Sequence, residues 1–321
     1  MMALKDDFKY KPSYTIKSLS LKETSFDNET LRISTEISSD VTIQLSKSND
    51  LTKFRELWWI QGNIHPKAHW EEASLPYLLK SNVDWKKYTE RTDFFNVHGS
   101  WEWIDGSVYV YELPLGPHET CSRAIDREIY LKDPERILVS LGSTRTRAGS
   151  MGKEADGSFI PKRKSNVNSN GREGPYSHKP WPNLAIEVAF SETEEHLLNV
   201  VKNYWLYPGR AHDAIAVKLV QFDKIISIIK VWHFCTDNRT PMRELVPVTE
   251  FEFRTIDDND QILIEPQQYM INIKIECLFH GMPSTSQTSP STSQTPSSIT
   301  NPLTIDFYDV LLSMEEEFRL S

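Results

Sequence analysis

The stretch that decides the fold is residues 182–220, PNLAIEVAFSETEEHLLNVVKNYWLYPGRAHDAIAVKLV. From Leu184 to Phe190 every position is apolar except Glu187, a pattern typical of a strand that is covered on both faces. A buried carboxylate is costly unless it is paired, hydrogen-bonded or bound to a cation, so Glu187 requires a partner. A metal ion, Arg145, Arg147 and a backbone amide all remain open as that partner.

A helix and a second strand follow this first strand. Ser191 and Glu194 have the spacing of a capping box, which predicts that a helix begins there, and the Pro-Gly pair at 208–209 ends it. Residues 214–220 are again almost wholly apolar and predict the return strand. A strand, a helix and a strand with short connections predict a parallel pair with a right-handed crossover, and hence a mixed α/β fold.

Composition bounds the class of protein. With 321 residues, of which 39% are hydrophobic, the chain can form one large domain with extensions or two modest ones. No apolar run approaches the ~20 residues that span a bilayer, and residues 1–10 lack the apolar centre of a signal peptide. Cys121, Cys235 and Cys277 form no CxxC pair, which fits a reducing compartment. We therefore expect an intracellular protein, cytoplasmic or nuclear, without a membrane partner.

Charge is unevenly distributed along the chain. The net charge of −9 argues against broad attraction to a nucleic-acid backbone. Between Thr144 and Lys179, however, eight basic residues face three acidic ones, which gives a local charge of +5. This segment is interpreted as a phosphate-contacting loop, with an ordinary solvated loop as the alternative. Its proposed contact residues are Arg145, Arg147, Lys153, Lys162, Arg163 and Lys164.

The remaining patterns divide the chain into segments. Asp105-Gly106 separates two aromatic and β-branched runs and predicts a hairpin over 101–111. Alternating runs beyond Val220, the clearest at 271–279, predict antiparallel strands, and Cys277 is explained there as a small buried hydrophobe. The predicted segments are an N-terminal β-rich and helical extension (1–94), a core (95–222), antiparallel strands packing on the core (223–281), a disordered Ser/Thr/Gln/Pro linker (282–303) and a short terminal helix (304–321).

Three carboxylates stand out in chain order. Glu102 lies in the aromatic hairpin, Asp156 begins a short segment of strand-like character, and Glu187 lies in the buried strand. Hard oxygen ligands of this kind suit Mg²⁺ or Mn²⁺, which lowers the pKa of a bound water and stabilises charge on an attacked phosphate. The alternative for Glu102 is a cross-strand pair within its sheet.

Two of these segments resemble a known family, the "putative restriction endonuclease" domains of the PD-(D/E)XK nuclease superfamily. Residues 101–106, WEWIDG, with the prolines and His118 that follow, resemble the family's YELIDG hairpin, and residues 182–189 resemble its PDLVVEV strand. The resemblance covers about residues 95–222. It implies a restriction-endonuclease-like mixed β-sheet flanked by helices, with β-rich extensions at both ends in this chain.

The resemblance also implies roles for individual residues. Asp156 and Glu187 would bind the metal, and Glu102 would be a further acidic member of the site. The lysine of the parent signature is replaced by Ala189, and the basic residue that the family supplies from the next helix is replaced by Val200. Lys202 and His196 are the nearest substitutes, with a solvated lysine and an ordinary helix-surface histidine as the alternatives.

The resulting hypothesis is a Mg²⁺- or Mn²⁺-dependent endonuclease that hydrolyses DNA, with RNA and a homodimer left open. The alternative is a catalytically inactive protein of the nuclease fold that acts as a nucleic-acid- or protein-binding module. A fold alone does not decide between them. No GxSxG elbow and no Walker loop supports another class of hydrolase.

Overall fold

The computed structural model describes residues 51–63, 75–95, 97, 99–113, 115–162, 180–222, 225–240, 242–256, 262–281 and 301–320. All described residues belong to one compact unit, Asn49–Ser321. Most of the predicted linker at 282–303 and the N-terminal half of the predicted 1–94 extension lie outside the described residues. The predicted segment boundaries stay predictions.

The described residues form helices on several sides of two large sheets. The helices are α1 (Leu51–Gln61), α2 (Trp85–Phe95), α3 (Gly116–Lys132), α4 (Glu194–Asn199, continuing as a π-helix over Val200–Trp205), α5 (Ile275–Leu278) and α6 (Phe307–Leu320). The strands are β1 (Tyr77–Ser81), β2 (Trp101–Ile104), β3 (Ser107–Val110), β4 (Leu138–Ser140), β5 (Arg145–Ala148), β6 (Met151–Glu154), β7 (Gly157–Pro161), β8 (Leu184–Ala189), β9 (Asp213–Phe222), β10 (Ile225–Arg239), β11 (Leu245–Arg254), β12 (Met270–Ile273) and β13 (Leu303–Asp306). None of the described helices is both long enough and apolar enough to cross a membrane.

Strand β8 lies inside the larger sheet, whose strand order is β11-β10-β9-β8-β7-β4. Strands β8 and β9 are parallel and α4 connects them, while the other neighbours in this sheet are antiparallel. The predicted mixed α/β fold is therefore confirmed.

Both faces of β8 are covered. Leu184, Ile186 and Val188 belong to the core that includes α3 and α6, whereas Ala185 and Ala189 belong to the core formed with α4. Since side chains alternate along a strand, the odd-numbered Glu187 lies on the α4 side. Glu187 is 2% exposed, as its position in an apolar strand predicted.

The smaller of the two large sheets is antiparallel and has the order β1-β3-β2-β6-β5. Its β2–β3 hairpin turns at Asp105 (φ 48°) and Gly106 (φ 77°), as the Asp-Gly signal predicts for a two-residue turn with positive φ at both positions. Tryptophans at positions 58, 59, 101 and 103 bury this sheet against α1 and α2. A third, two-stranded sheet pairs β12 with β13.

Three local predictions were wrong, each for a physical reason. Thr193 caps α4, because Ser191 instead donates its hydroxyl to Glu112. Residues 145–154 form strands β5 and β6 and not a loop; the sequence did not predict them because their cross-strand contacts are largely polar, whereas the strand-like segment that begins at Asp156 does contain a strand, β7. The predicted strand at 271–279 ends at Ile273, and Cys277 lies in α5.

Gly152 allows α2 to lie against the smaller sheet, which yields a first prediction. A Cβ at this position would lie 2.0 Å from Cζ3 of Trp85, whose ring packs on Trp103 and Tyr88. Gly152→Ala should lower the free energy of unfolding by about 1–3 kcal/mol, because the tryptophan must leave its packed position. Urea unfolding measures this, with the exposed Ser150→Ala as the control. Equal midpoints for the two variants would contradict this packing.

Candidate active site

A cluster of four buried carboxylates surrounds one lysine at the junction of the two large sheets. Glu102 comes from β2, Asp156 from the connection between β6 and β7, Glu187 from β8, and Glu192 from the turn before α4. All four raise the pKa of Lys153, which belongs to β6. The sequence predicted Glu102, Asp156 and Glu187 as site residues but not Glu192, and it predicted Lys153 in a phosphate-contacting loop.

Lys153 is buried because its partners lie on neighbouring strands. Trp103 pairs with Gly152 in the antiparallel β2–β6 register, so the same register places Glu102 opposite Lys153. The Lys153 Nζ lies 2.5 Å from Oε1 of Glu102 and 3.6 Å from Oε2 of Glu187. Burial alone would lower the pKa of Lys153, but the carboxylates of Glu102 and Glu187 outweigh burial and hold this pKa well above its usual value. The ammonium is therefore charged.

Glu187 is held from the opposite side by α4. The indole N–H of Trp205 donates to Oε1 of Glu187, so Oε2 is the oxygen that faces Lys153. Trp205 ends the π-helical part of α4, a type of distortion that is frequent at functional sites. The sequence did not predict either of these partners. The two arginines that it left open, Arg145 and Arg147, contact other groups.

Asp156 also has one oxygen fixed by a neighbour. Its Oδ2 accepts a hydrogen bond of 2.7 Å from the backbone N–H of Val188, which links the acid to β8. Its Oδ1 lies 3.2 Å from Nε2 of His118 at the start of α3. Burial would lower the pKa of His118, but the Asp156 carboxylate outweighs it and raises the pKa well above the usual value. The pair is thus a buried ion pair.

Glu112 orients the turn that carries Glu192, and sequence reasoning missed both. The Glu112 carboxylate, 4% exposed, accepts bonds of 2.8–3.1 Å from the backbone N–H groups of residues 190–192. A signal existed for Glu112, because it continues the inward alternation of Val108 and Val110 along the hairpin. Glu192 offered no such signal, since it belongs to a run of acids that is typical of a helix start.

His196 is the most exposed polar side chain of the cluster, at 16%. Its ring stacks on Tyr111 with centroids 3.6 Å apart and an interplanar angle of 6°. Its Nε2 lies 3.4 Å from Oε1 of Glu102 and 3.5 Å from Oε1 of Glu192. The structure therefore brings His196 to the predicted site, where it faces two acids across contacts that are long for hydrogen bonds.

The cluster contains more acidic groups than basic ones, and burial keeps two of the acids from ionising easily. Burial raises the pKa of Glu187 well above its usual range, against the opposing field of Lys153. Burial also raises the pKa of Glu192 to about 8. For Glu102, burial acts in the same direction, but Lys153 and His196 outweigh it and the pKa is lowered. A cation held among these acids would favour their ionised forms and so lower the pKa values of Glu187 and Glu192.

The donor set fits a hard divalent cation. Glu187 and Asp156 each have one oxygen fixed by an N–H group, as outer-shell partners fix metal-ligating carboxylates. Oε2 of Glu102 and Oε1 of Glu192 are buried without a hydrogen-bond partner, so they retain capacity to coordinate. Carboxylate oxygens are the ligands that Mg²⁺ and Mn²⁺ prefer.

The other predicted site residues lie elsewhere. Lys202 is half-buried, with its Nζ 5.2 Å from the centre of the Phe234 ring. Arg145 is buried in β5 and pairs with Glu154 and Asp93, which corrects its assignment to a surface loop. Arg147 is exposed in β5 and lies over Trp85 and Trp103, and Lys162 is exposed after β7. Arg163 and Lys164 lie outside the described residues.

The buried pair of Lys153 and Glu102 yields a second prediction. Lys153→Met and Glu102→Gln should each lower the free energy of unfolding by about 3–5 kcal/mol, because each leaves an uncompensated buried group. The double variant should lose less stability than the sum of the two single variants, since neither substituted residue then leaves the other one charged and unpaired. Urea unfolding of all four proteins measures the coupling.

The exposed pair Lys86–Glu90, with nitrogen and oxygen 3.7 Å apart, provides the control. The cycle of Lys86→Met and Glu90→Gln should give a coupling of about 0.3–0.5 kcal/mol, because water screens this pair. A coupling for Lys153 and Glu102 no larger than this value would contradict the buried ion pair.

Comparison with known proteins adds little beyond this geometry. No protein-family model and no curated protein matches the chain. Among solved structures, the chain is similar to the crystal structure of a "putative nuclease belonging to DUF820" from Anabaena variabilis. The two share 15% identity with a TM-score of 0.30, and the match covers 52% of this chain and 82% of the other. At this TM-score the similarity carries no argument about chemistry.

Proposed function

We propose that this chain is a divalent-metal-dependent endonuclease that hydrolyses phosphodiester bonds of DNA. The observation that supports the proposal most strongly is the cluster of four buried carboxylates around Lys153. A buried ion network is weak evidence for stability, because apolar residues of similar volume often stabilise a fold as well or better. Strongly perturbed ionisable groups gathered at one place are, by contrast, frequent at functional sites.

Asp156 and Glu187 are the residues that would hold the ion, with Glu102 and Glu192 as further acids. When bound, such an ion supplies a nucleophile from water near neutral pH and neutralises charge on the phosphate. Val188 and Trp205 fix one oxygen on each of Asp156 and Glu187, so the ion would bind the other oxygens, which now face His118 and Lys153.

Lys153 is the basic residue of the proposed site. The resemblance noted in the sequence placed the lysine at 189 or 200, where this chain has Ala189 and Val200. Lys153 comes instead from β6 and lies 3.6 Å from Glu187. Its charged ammonium is positioned to stabilise negative charge that develops on a phosphate. His196, at the most exposed side of the cluster, is the candidate for moving a proton.

A second candidate function is a non-catalytic module of the same fold. The observation that favours it is closure of the site: Glu102 is 1% exposed and Lys153 is 3% exposed. In that case the chain would cleave neither DNA nor RNA, whether or not an ion binds at Glu187. The two candidates therefore differ in measurable properties.

The test of the proposal combines calorimetry with plasmid nicking. Wild-type protein should bind Mg²⁺ or Mn²⁺ and nick supercoiled DNA only in the presence of the ion. Glu187→Gln should weaken ion binding and reduce nicking by more than about 100-fold, the upper range for loss of an outer-shell partner. Glu195→Gln, at an exposed position of α4, should change neither property.

Three other outcomes would change this proposal. Ion binding that survives Glu187→Gln would contradict the metal site. Cleavage of RNA but not DNA would contradict the proposed substrate and support the proposed active site. Glu187-dependent ion binding without cleavage of either nucleic acid would favour the non-catalytic candidate.

The role of Lys153 yields a separate prediction. Lys153→Met removes the ammonium that competes for Glu102 and Glu187, so ion affinity should be at least as high as in the wild type. Nicking should nevertheless fall by about 10²–10³-fold, as for loss of one group that stabilises transition-state charge. Lys202→Met is the matched control on α4 and should nick normally. Normal nicking by Lys153→Met would exclude the proposed role.

A further inference from the structure

A second polar cluster lies in the larger sheet and shares no residue with the acidic cluster. Asp213 begins β9, directly opposite Cys235 of β10, and His212 precedes it. Cys277 reaches the same place from α5. These four residues each offer a ligand atom, and the atoms all lie within 4.8 Å of one another.

The spacing of the sulfur atoms fits a tetrahedral metal centre. The Sγ atoms of Cys235 and Cys277 are 3.7 Å apart, and Sγ of Cys235 is 3.8 Å from Nδ1 of His212. With Zn–S near 2.3 Å and Zn–N near 2.0–2.1 Å, the edges of a tetrahedron are about 3.8 Å for two sulfurs and about 3.5 Å for sulfur and nitrogen. A disulfide, by contrast, requires the sulfurs to approach to about 2.05 Å.

The contact between His212 and Asp213 is shorter than a ligand-to-ligand edge. Nδ1 of His212 lies 2.8 Å from Oδ2 of Asp213, a hydrogen-bond distance. Two ligands at 2.0–2.1 Å from one zinc ion would be about 3.3 Å apart, so the pair must open by about 0.5 Å. This adjustment exchanges the hydrogen bond for two bonds to the ion.

The surroundings orient these side chains as an outer shell does. His233, two residues before Cys235 on the same face of β10, has Nε2 2.8 Å from Oδ1 of Asp213 and so fixes that carboxylate. His280 stacks on His212 with ring centroids 4.1 Å apart. The backbone N–H groups of His212 and Asp213 both donate to the carbonyl of Asn183, which fixes the turn before β9.

The four potential ligands are buried together, away from water. The four residues are 0–8% exposed. Nε2 of His212 lies 3.6 Å from Oδ2 of Asp237, and it is Nδ1 of this ring that faces Asp213 and Cys235. Two thiols, an imidazole and a carboxylate are the donors that zinc accepts, whereas the all-oxygen acidic cluster is suited to Mg²⁺ or Mn²⁺.

The geometry points to a structural Zn²⁺ site formed by His212, Asp213, Cys235 and Cys277, which ties α5 to strands β9 and β10. All four positions are filled by protein ligands, as in structural and not catalytic zinc sites. Strands β9 and β10 are consecutive, whereas α5 follows them only at Ile275–Leu278, so the ion would join this later helix to the strand pair. This inference does not depend on the proposed nuclease activity.

The test uses the full chain purified under reducing conditions in the presence of Zn²⁺. Elemental analysis should find about one zinc per chain in the wild type and in Cys121→Ala, and less than about a tenth of that in Cys235→Ala and Cys277→Ala. Cys121 is the matched control, because it is the third buried cysteine and lies in α3. Glu187→Gln should also retain its zinc, which separates this site from the acidic cluster.

A second measurement covers variants that fail to fold. Chelation should lower the melting temperature of the wild type, and stoichiometric Zn²⁺ should restore it. Cobalt in place of zinc should give the visible absorption of a tetrahedral, thiolate-bound ion. A reduced wild-type protein that takes up no zinc, a Cys235–Cys277 disulfide in the freshly purified chain, or zinc that persists in both cysteine variants would each overturn the assignment.

Discussion

The structure depends on one buried ammonium and the carboxylates around it. Lys153 belongs to the smaller sheet and Glu187 to the larger one, so their 3.6 Å contact spans the junction of the two sheets. Glu112, which follows β3, makes a second connection across this junction by accepting the N–H groups after β8. Charged groups are costly to bury, and an apolar junction would have served stability at least as well. The polar junction is therefore better explained by chemistry than by folding.

The sequence predicted those parts of the fold whose signals are local. The apolar run 184–190 predicts β8, and the Pro-Gly pair at 208–209 predicts where the helix ends. Both signals lie within or next to the element that they specify. The Asp-Gly turn determines the hairpin for the same reason. Strands β5 and β6 were not predicted, because polar cross-strand contacts such as that of Arg145 with Glu154 produce no periodic pattern within one strand.

The candidate site was predicted in part. The residues that were missed are brought to it only by tertiary structure. The family signature predicts the basic residue in β8 or α4, because a signature is defined by spacing along one segment. At those two positions the chain has Ala189 and Val200. Lys153 occupies the place from a neighbouring strand, and no spacing relative to Glu187 specifies it. The same limit explains Cys277, which was interpreted as a buried hydrophobe because its neighbours in space, Cys235 and His212, are 42 and 65 residues away in sequence.

The acidic cluster contains two classes of contact. Short hydrogen bonds hold the carboxylates in place, and longer contacts can be replaced by a bound ligand. Short bonds hold Asp156 to the backbone and Glu112 to the turn at 190–192, at 2.7–3.1 Å. The contacts of His196 with Glu102 and Glu192, and of Lys153 with Glu187, are 3.4–3.6 Å long. These separations exceed ordinary hydrogen-bond distances, so the long contacts are the ones that a bound cation would replace most readily. The short bonds would meanwhile keep the carboxylates in position, which allows a closed cluster to accept a ligand without unfolding its supports.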